Sequence, residues 1–182
     1  MSGTPGPNNV MLATSGANFG YRKTLPHLLG INSGLFALTA VICAGLGAVF
    51  TRYPVIHLVL KYAGAVYLAY LAWKLAGASL ARGETAAKPL SFAEGAAFQL
   101  VNPKSWIKAV TIATFFMPPG IDALAGALLV SIVGLVIGFP LISCWTLFGV
   151  GMRRFLDSPR RLKLFNLLMG LSLVVLAVSL VT

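Results

Sequence analysis

The chain has 182 residues, of which 58% are hydrophobic and only 10% are charged, and its mean hydropathy is +0.87. Soluble domains carry about 25% charged residues. A soluble protein of this composition would lack the polar surface needed to cover its core, whereas a lipid bilayer is itself a solvent for apolar side chains. The composition therefore excludes a soluble globular domain and predicts an all-α integral membrane protein.

The formal net charge of +10 raises the question of nucleic-acid binding. The basic residues, however, form no basic face with interleaved aromatic residues, and they occur in short groups at the ends of apolar runs. This distribution is typical of membrane-topology signals and argues against a nucleic-acid partner. Cys43 and Cys144 lie inside apolar segments without metal-ligand spacing, so neither a metal site nor a cofactor is predicted.

Six apolar segments are predicted in chain order. The first is short, because only residues 10–20 separate a Pro-rich opening from Arg22 and Lys23. This is about half of the roughly 20 residues that a bilayer requires, so we expect a first helix that is truncated at its N-terminus. The other five segments are longer and cover about residues 25–50, 55–80, 92–117, 121–150 and 162–181.

Basic residues are unequally distributed among the connections. Those after the first, third and fifth segments hold ten basic residues, and those after the second and fourth hold two. The ten are Arg22, Lys23, Lys74, Arg82, Lys88, Arg153, Arg154, Arg160, Arg161 and Lys163. Because cytoplasmic connections are enriched in Lys and Arg, the odd connections are predicted to be cytoplasmic, with both termini outside. We therefore expect a multi-pass protein of the bacterial inner membrane.

Two segments contain a predicted helix break. The first break is the opening, residues 4–9 (TPGPNN), and the second is residues 102–104 (NPK), about midway along the fourth segment. Proline removes a backbone donor, and membrane proteins tolerate broken helices where the backbone is buried in protein or lines a wet cavity. Kinks that shape the bundle and bind nothing are the alternative. We predict that both breaks bind or gate a substrate, through Pro5, Gly6, Pro7, Asn8, Asn9, Asn102, Pro103 and Lys104.

The positions of the breaks predict an internal repeat. Repeat one covers about residues 1–80 and repeat two about residues 90–182, with a polar linker at about residues 82–89. Each repeat has three segments and begins with a broken helix, and because three is odd the second repeat enters the membrane in the opposite sense. Inverted-repeat transporters have this arrangement, with the substrate at the breaks. We predict one transmembrane domain, residues 1–182, as a six-helix bundle of two inverted three-helix repeats.

Placing the charged side chain of Lys104 within the membrane is the energetically most costly feature of this predicted arrangement. A lysine at the bilayer centre costs about 2.5–3.5 kcal/mol on insertion scales. Lys108 follows one turn later on the same helical face. Glu94 is ten residues away, roughly 15 Å along a helix, which is too far for a direct pair. We therefore expect Lys104 to face an aqueous cavity near Asn8 and Asn9.

Several motifs resemble those of the lysine/threonine exporter (LysE/RhtB) family. They are residues 4–9 (TPGPNN), residues 16–20 (GANFG) with Arg22, residues 64–68 (GAVYL) with residues 73–74 (WK), and residues 102–104 (NPK). The resemblance extends over essentially the whole chain. Family members usually have about a further half-helix before the first motif, whereas here that motif follows Met1-Ser2-Gly3 directly.

The resemblance implies a six-helix secondary transporter that exports amino acids or related small metabolites from a bacterium. It also implies that the proton-motive force drives the export. The partners would be an amino-acid-like substrate and the lipid bilayer, and the oligomeric state, including a homo-oligomer, stays open. No acidic residue lies firmly at a membrane centre, which favours neutral over cationic substrates.

The sequence leaves one alternative function open and argues against another. A truncated paralogue can still insert, so a non-transporting membrane scaffold or subunit is the alternative. A membrane enzyme would need a nucleophile–base pair, a carboxylate pair or metal ligands within the spans. The sequence has no HExxH, no Gly-x-Ser-x-Gly and no intramembrane Asp pair, so no enzyme is predicted. His27, beside Pro26, is expected to be an ordinary histidine at the membrane interface.

Overall fold

A computed structural model of the chain describes residue 3 and residues 6–46, 54–80, 88–156 and 158–181. Within these ranges all regular secondary structure is helical, which confirms the predicted class. The helices are α1 (Pro7–Phe19), α2 (Tyr21–Val41), α3 (Pro54–Leu80), α4 (Phe92–Val101), α5 (Pro103–Phe115), α6 (Ala123–Met152) and α7 (Pro159–Val181). α2 continues into a short π-helical stretch, Ile42–Leu46. Pro5, Arg52 and most of the predicted linker lie outside the described residues.

Three described stretches are long and apolar enough to cross a membrane, namely Tyr21–Gly45, Ala123–Met152 and Pro159–Ser179. Large apolar side chains on them are exposed; Ile132, for example, is 51% exposed and Val136 is 62% exposed. Extensive exposed apolar surface is the surface that a protein presents to lipid. These features support a membrane location.

The ends of the helices are set by local sequence. α1 begins at Pro7, where the missing N–H costs nothing, and α5 begins at Pro103 for the same reason. α4 begins with a capping box, in which the Ser91 hydroxyl accepts from the Glu94 N–H and the Glu94 carboxylate accepts from the Ser91 N–H. Gly20, between α1 and α2, has φ of 81°, a left-handed conformation that favours glycine.

One end of the bundle collects basic residues. α1 and α6 finish there and α2, α4 and α7 begin there, as contacts between these termini indicate. Asn18 near the end of α1 hydrogen-bonds Asn166 in α7, and a Cβ added to Gly20 would lie 3.6 Å from Arg153 Nη1. We call this the basic end and the opposite one, where α5 finishes and α6 begins, the far end.

Glycines allow α1 and α6 to interlock near the basic end. A Cβ added to Gly16 would collide with the carbonyl oxygen of Thr146, and one added to Gly149 would collide with that of Ala13. Backbone atoms cannot give way as a flexible side-chain end can, so only glycine permits this approach. α1 and α6 therefore form one close-packed pair.

α2 and α4 form a second interlocked pair. A Cβ on Gly30 would collide with the Phe92 carbonyl oxygen, and one on Gly34 would lie 2.7 Å from that of Ala96. The remaining long helices, α3 and α7, pack against each other through a cluster that includes Leu71 and Leu173.

The burial of His27 differs from the expectation of an interfacial residue. Its side chain is 0% exposed, and a Cβ on Gly95 would lie 2.7 Å from the His27 carbonyl oxygen and 2.8 Å from its Cδ2. α4 covers this face of α2, because the glycines let the two helices approach closely. Protein rather than the membrane interface surrounds the imidazole.

Candidate functional site

A cavity of about 30 Å³ lies where the two helix breaks meet, and we call it the central cavity. Of the eight residues predicted from the sequence, it is lined by five, namely Gly6, Asn8, Asn9, Asn102 and Lys104. The other lining residues are Leu35, Ser105, Lys108 and Ile142. Of the remaining predicted residues, Pro7 and Pro103 begin the adjoining helices without lining the cavity, and Pro5 lies outside the described residues.

The N-termini of α1 and α5 both adjoin this cavity. Gly6 precedes α1 and Asn102 precedes α5, and each is followed by a proline at the first helical position. A helix N-terminus carries a partial positive charge and backbone N–H groups without intrahelical partners. Two such termini at one cavity make it favourable for an anion.

Lys104 lies against the first break. A Cβ added to Gly6 would be 2.9 Å from Lys104 Nζ and 3.0 Å from Lys104 Cδ, so a larger residue would displace the lysine side chain. The Lys104 backbone N–H donates to Asn102 Oδ1 at 3.1 Å, which caps α5. Lys108 lines the same cavity one turn farther along α5. Both lysines thus add positive charge to the two helix termini.

A buried amide network joins the two broken helices. Asn8 Nδ2 donates to Gln99 Oε1 at 2.9 Å, and Gln99 Nε2 donates to Asn8 Oδ1 at 3.2 Å. The Ser105 hydroxyl also donates to Gln99 Oε1, at 2.8 Å, and Gln99 Nε2 donates to the Gly95 carbonyl oxygen. Gln99 is 0% exposed, so its amide is satisfied entirely by protein.

Gln99, Ser105 and Lys108 were not among the predicted site residues. Each is a polar residue in an apolar segment, within six residues of Asn102 in the sequence. Polar residues in a membrane span are costly and usually face the bundle interior, and this signal was available from the sequence. The sequence alone does not show which of these three residues faces the opposite helix break.

Toward the basic end, the central cavity is closed by apolar side chains. Leu12, Leu28 and Ile31 are all 0% exposed and pack with Ile142, which also lines the cavity. We call these four residues the apolar plug. Leu12 and Ile142 belong to the α1–α6 pair, and the other two belong to α2. The plug therefore spans the interface between the two interlocked pairs.

A layer of hydrogen bonds lies beyond the plug. Ser15 and Thr24 hydroxyl oxygens are 2.8 Å apart, and the Tyr21 and Ser143 hydroxyl oxygens are 3.1 Å apart. Thr24 and Tyr21 belong to α2, whereas Ser15 belongs to α1 and Ser143 to α6. Both hydrogen bonds therefore join α2 to the α1–α6 pair. The central cavity is thus separated from the basic end by an apolar layer followed by a polar one.

Comparison with known proteins gives a consistent assignment. The family profile described as LysE type translocator matches residues 1–182. The chain is 36% identical over 179 residues to proteins named cysteine/O-acetylserine efflux protein from Escherichia coli strain K12, Shigella sonnei strain Ss046 and Shigella flexneri. Each alignment covers 96% of this chain and 89% of the relative. No solved structure matches the chain. The resemblance seen in the sequence motifs is therefore confirmed, and this chain belongs to the LysE type translocator family.

Proposed function

We propose that this protein is a secondary transporter that exports neutral amino acids or closely related metabolites across the bacterial inner membrane. The observation that carries the proposal is the central cavity, at which two helix N-termini, two lysines and a set of side-chain amides converge. The relatives are named for the efflux of cysteine and O-acetylserine, both of which are neutral zwitterions at physiological pH. These two compounds are the first substrates to try.

The cavity chemistry suits a zwitterion. The substrate's carboxylate would lie at Lys104 and the N-termini of α1 and α5, where positive charge is concentrated. Its ammonium group would donate to the amide oxygens of Asn8 or Asn9. No Asp or Glu is among the lining residues that the structure describes, which disfavours a second cationic group on the substrate.

The size of the cavity indicates a closed conformation. A volume of about 30 Å³ is far below the roughly 300–1,000 Å³ of typical ligand pockets, so the cavity must expand before an amino acid can enter. Because the α1–α6 and α2–α4 pairs are each interlocked, we infer that each pair moves as a unit. Their separation at the basic end would break the apolar plug and admit substrate.

The inverted repeat is part of the same proposal. Helices in corresponding positions of the two repeats pack together, α2 with α6 and α3 with α7. The half-helices that follow the two breaks also contact helices of the opposite repeat. α1 packs against α6, and α5 packs against α2. These contacts support two repeats related by an axis that passes near the central cavity.

We further propose that the basic end faces the cytoplasm and that the proton-motive force drives the export. The first part is supported by the basic residues gathered at that end. For the second, Lys104 and Lys108 are titratable groups within the cavity, and a proton carried by a lysine changes its attraction for a carboxylate. Export from vesicles should then stop when an ionophore collapses the proton gradient.

The decisive experiment replaces Lys104 with Met and measures both membrane abundance and the export of labelled cysteine and O-acetylserine from loaded cells. We expect normal abundance and an export rate reduced by at least about tenfold, which corresponds to about 1.4 kcal/mol of lost substrate interaction. Lys163→Met, at the exposed basic end, is the matched control and should export normally. Unchanged export in Lys104→Met would refute the assigned role of the central cavity, and absent export in the parent chain would refute the transport function for these substrates.

A further inference from the structure

A second cavity, of about 10 Å³, adjoins the central one and is not explained by substrate binding at Lys104. Leu35 and Lys108 line both cavities, so these two side chains form the partition between them. The polar residues that line only the second cavity are Asn32 and Thr39 of α2 and Ser131 of α6.

The second cavity lies on the far-end side of the central one. Lys108 follows Lys104 by one turn on α5, which runs toward the far end, and Ile112 in the second cavity is one turn farther still. Ser131 is in the third turn of α6, the helix that begins at the far end. The two cavities therefore follow each other along the bundle axis, away from the apolar plug.

The walls of the second cavity include buried polar side chains beside the apolar ones. Ser131 is 1% exposed, and its hydroxyl has no hydrogen-bond partner among the described atoms. A buried hydroxyl without a partner costs about 1–3 kcal/mol, so a bound water or ligand group is the natural way to satisfy it. Asn32 Nδ2 already donates to the Leu135 carbonyl oxygen at 3.1 Å, which fixes this amide at the cavity wall.

Lys108 extends toward this wall through space that a glycine leaves open. A Cβ added to Gly138 of α6 would lie 3.9 Å from Lys108 Nζ and 3.2 Å from Asn32 Oδ1. The ammonium group and the amide oxygen are thus both within 4 Å of one point at the boundary between the cavities. Lys108 is placed to interact with a group in either cavity.

We propose that the second cavity is the exit section of the export path and that Lys108 binds the substrate's carboxylate as it leaves Lys104. This inference rests on the proposed export function. The two lysines are separated by four residues, about 6 Å of helix, so a carboxylate can approach the second before it has left the first. Several moderate sites in succession favour transport over retention, because a substrate must leave as well as enter. Ser131, Asn32 and Thr39 supply the polar surface of this section.

Accessibility of a cysteine at Ser131 is the first test. Ser131→Cys is prepared in cells that export actively, and its reaction with a small membrane-impermeant thiol reagent added outside is compared with that of the parent chain, which carries Cys43 and Cys144. Ile132→Cys is the matched control, because Ile132 has the same depth but is 51% exposed on the lipid-facing surface. Thiolates form in water and not in lipid, so we expect labelling at position 131 to exceed that at position 132 by at least about tenfold.

The second test separates the exit from the central cavity. Lys108→Met is expected to reduce the maximal export rate by at least about tenfold and to raise the internal substrate concentration for half-maximal export less than Lys104→Met does, because the carboxylate binds first at Lys104. Lys108→Arg, which keeps the positive charge, should restore part of the export rate. Ser131→Leu provides a second variant that fills the exit section without removing a charge, and it should also slow export.

The outcomes distinguish the exit inference from the export function. Equal labelling at positions 131 and 132, or reaction only with reagent on the cytoplasmic side, would overturn the exit section while leaving the Lys104 results intact. A half-maximal export concentration raised as much in Lys108→Met as in Lys104→Met, with an unchanged maximal rate, would show that Lys108 acts only in substrate binding at the central cavity and would overturn the exit role. If Lys108→Met fails to reach the membrane, normal export by Ser131→Leu would overturn the inference.

Discussion

The two halves of the bundle are packed differently. In the half at the basic end, glycines bring backbones of neighbouring helices into direct contact, and the apolar plug closes the path from the central cavity. In the half at the far end, a Cβ added to Gly134 of α6 would have no neighbour within 4 Å among the described residues, and a second cavity with polar lining residues adjoins Lys108.

This difference indicates which side of the transporter is closed. Opening at the basic end requires two interlocked helix pairs to separate across the apolar plug and the hydrogen bonds beyond it. Opening at the far end starts from a small cavity that already has polar side chains in its lining. The described conformation is therefore closed more firmly toward the basic end.

The largest expected effect comes from filling a glycine contact in the basic half. Gly30→Ala should prevent α2 from approaching Phe92 of α4, and Gly149→Ala should separate α6 from Ala13 of α1. Overpacking of a close-packed core costs about 1–3 kcal/mol and more when backbone atoms collide. We expect much lower membrane abundance and a lower melting temperature, measured by fluorescence-detected size-exclusion chromatography after heating.

Gly134→Ala is the matched control in the far half. Its added Cβ lies within 4 Å of no atom of the described residues, and alanine is favoured over glycine in a helix by up to about 1 kcal/mol. The melting temperature should be unchanged or slightly raised. A loss of stability at position 134 as large as at positions 30 and 149 would show that the halves do not differ in packing.

A smaller effect is expected from the two reciprocal amide pairs, one at the central cavity and one at the basic end. Asn8 pairs with Gln99, and Asn18 pairs with Asn166. Asn8→Ala and Asn18→Ala each remove one such pair, so similar losses of stability are expected, about 1–3 kcal/mol for an orphaned buried amide.

Substrate affinity should distinguish these two variants. Only Asn8 lines the central cavity, so Asn8→Ala should raise the substrate concentration for half-maximal export by about tenfold, whereas Asn18→Ala should change it by less than about twofold. Kinetics of export over a range of internal substrate concentrations provide the measurement. Equal changes in the two variants would mean that the amide at position 8 has only a structural role.

The smallest perturbation labels the two ends without altering the packing. Arg160→Cys lies at the exposed basic end, and Ile121→Cys lies at the far end without removing the Asp122 cap of α6. An impermeant thiol reagent added outside intact cells should label position 121, and position 160 should react only after the membrane is opened. The reverse pattern would invert the assignment of the closed side to the cytoplasm.

The helix breaks were predictable because their chemistry is local. Proline is favoured at the first position of a helix, and Gly6 and the capping residue Asn102 directly precede Pro7 and Pro103, so both positions favour a helix start. Proline alone does not decide this, because Pro26 and Pro140 lie inside continuous helices. The gathering of Lys and Arg residues at the basic end was equally predictable, because it depends only on the position of these residues between apolar segments of the sequence. The family motifs coincide with these same features.

The partners of the buried polar residues were not predictable in this way. The long helices are apolar on nearly all sides, since lipid and protein interior both accept apolar groups, so the sequence pattern does not reveal which face is buried. Gln99 was therefore missed, and His27 was assigned to the interface although α4 covers it.

By itself, the sequence determined that the chain belongs in a membrane, where its helices break and which end collects basic charge, because each depends on residues close together in the chain. Only the tertiary structure decided that Lys108 divides two cavities and that Gly30 and Gly149 interlock separate helix pairs. These features depend on the rotation and depth of one helix against another. Such positions are fixed by close packing between distant segments, which no local pattern encodes.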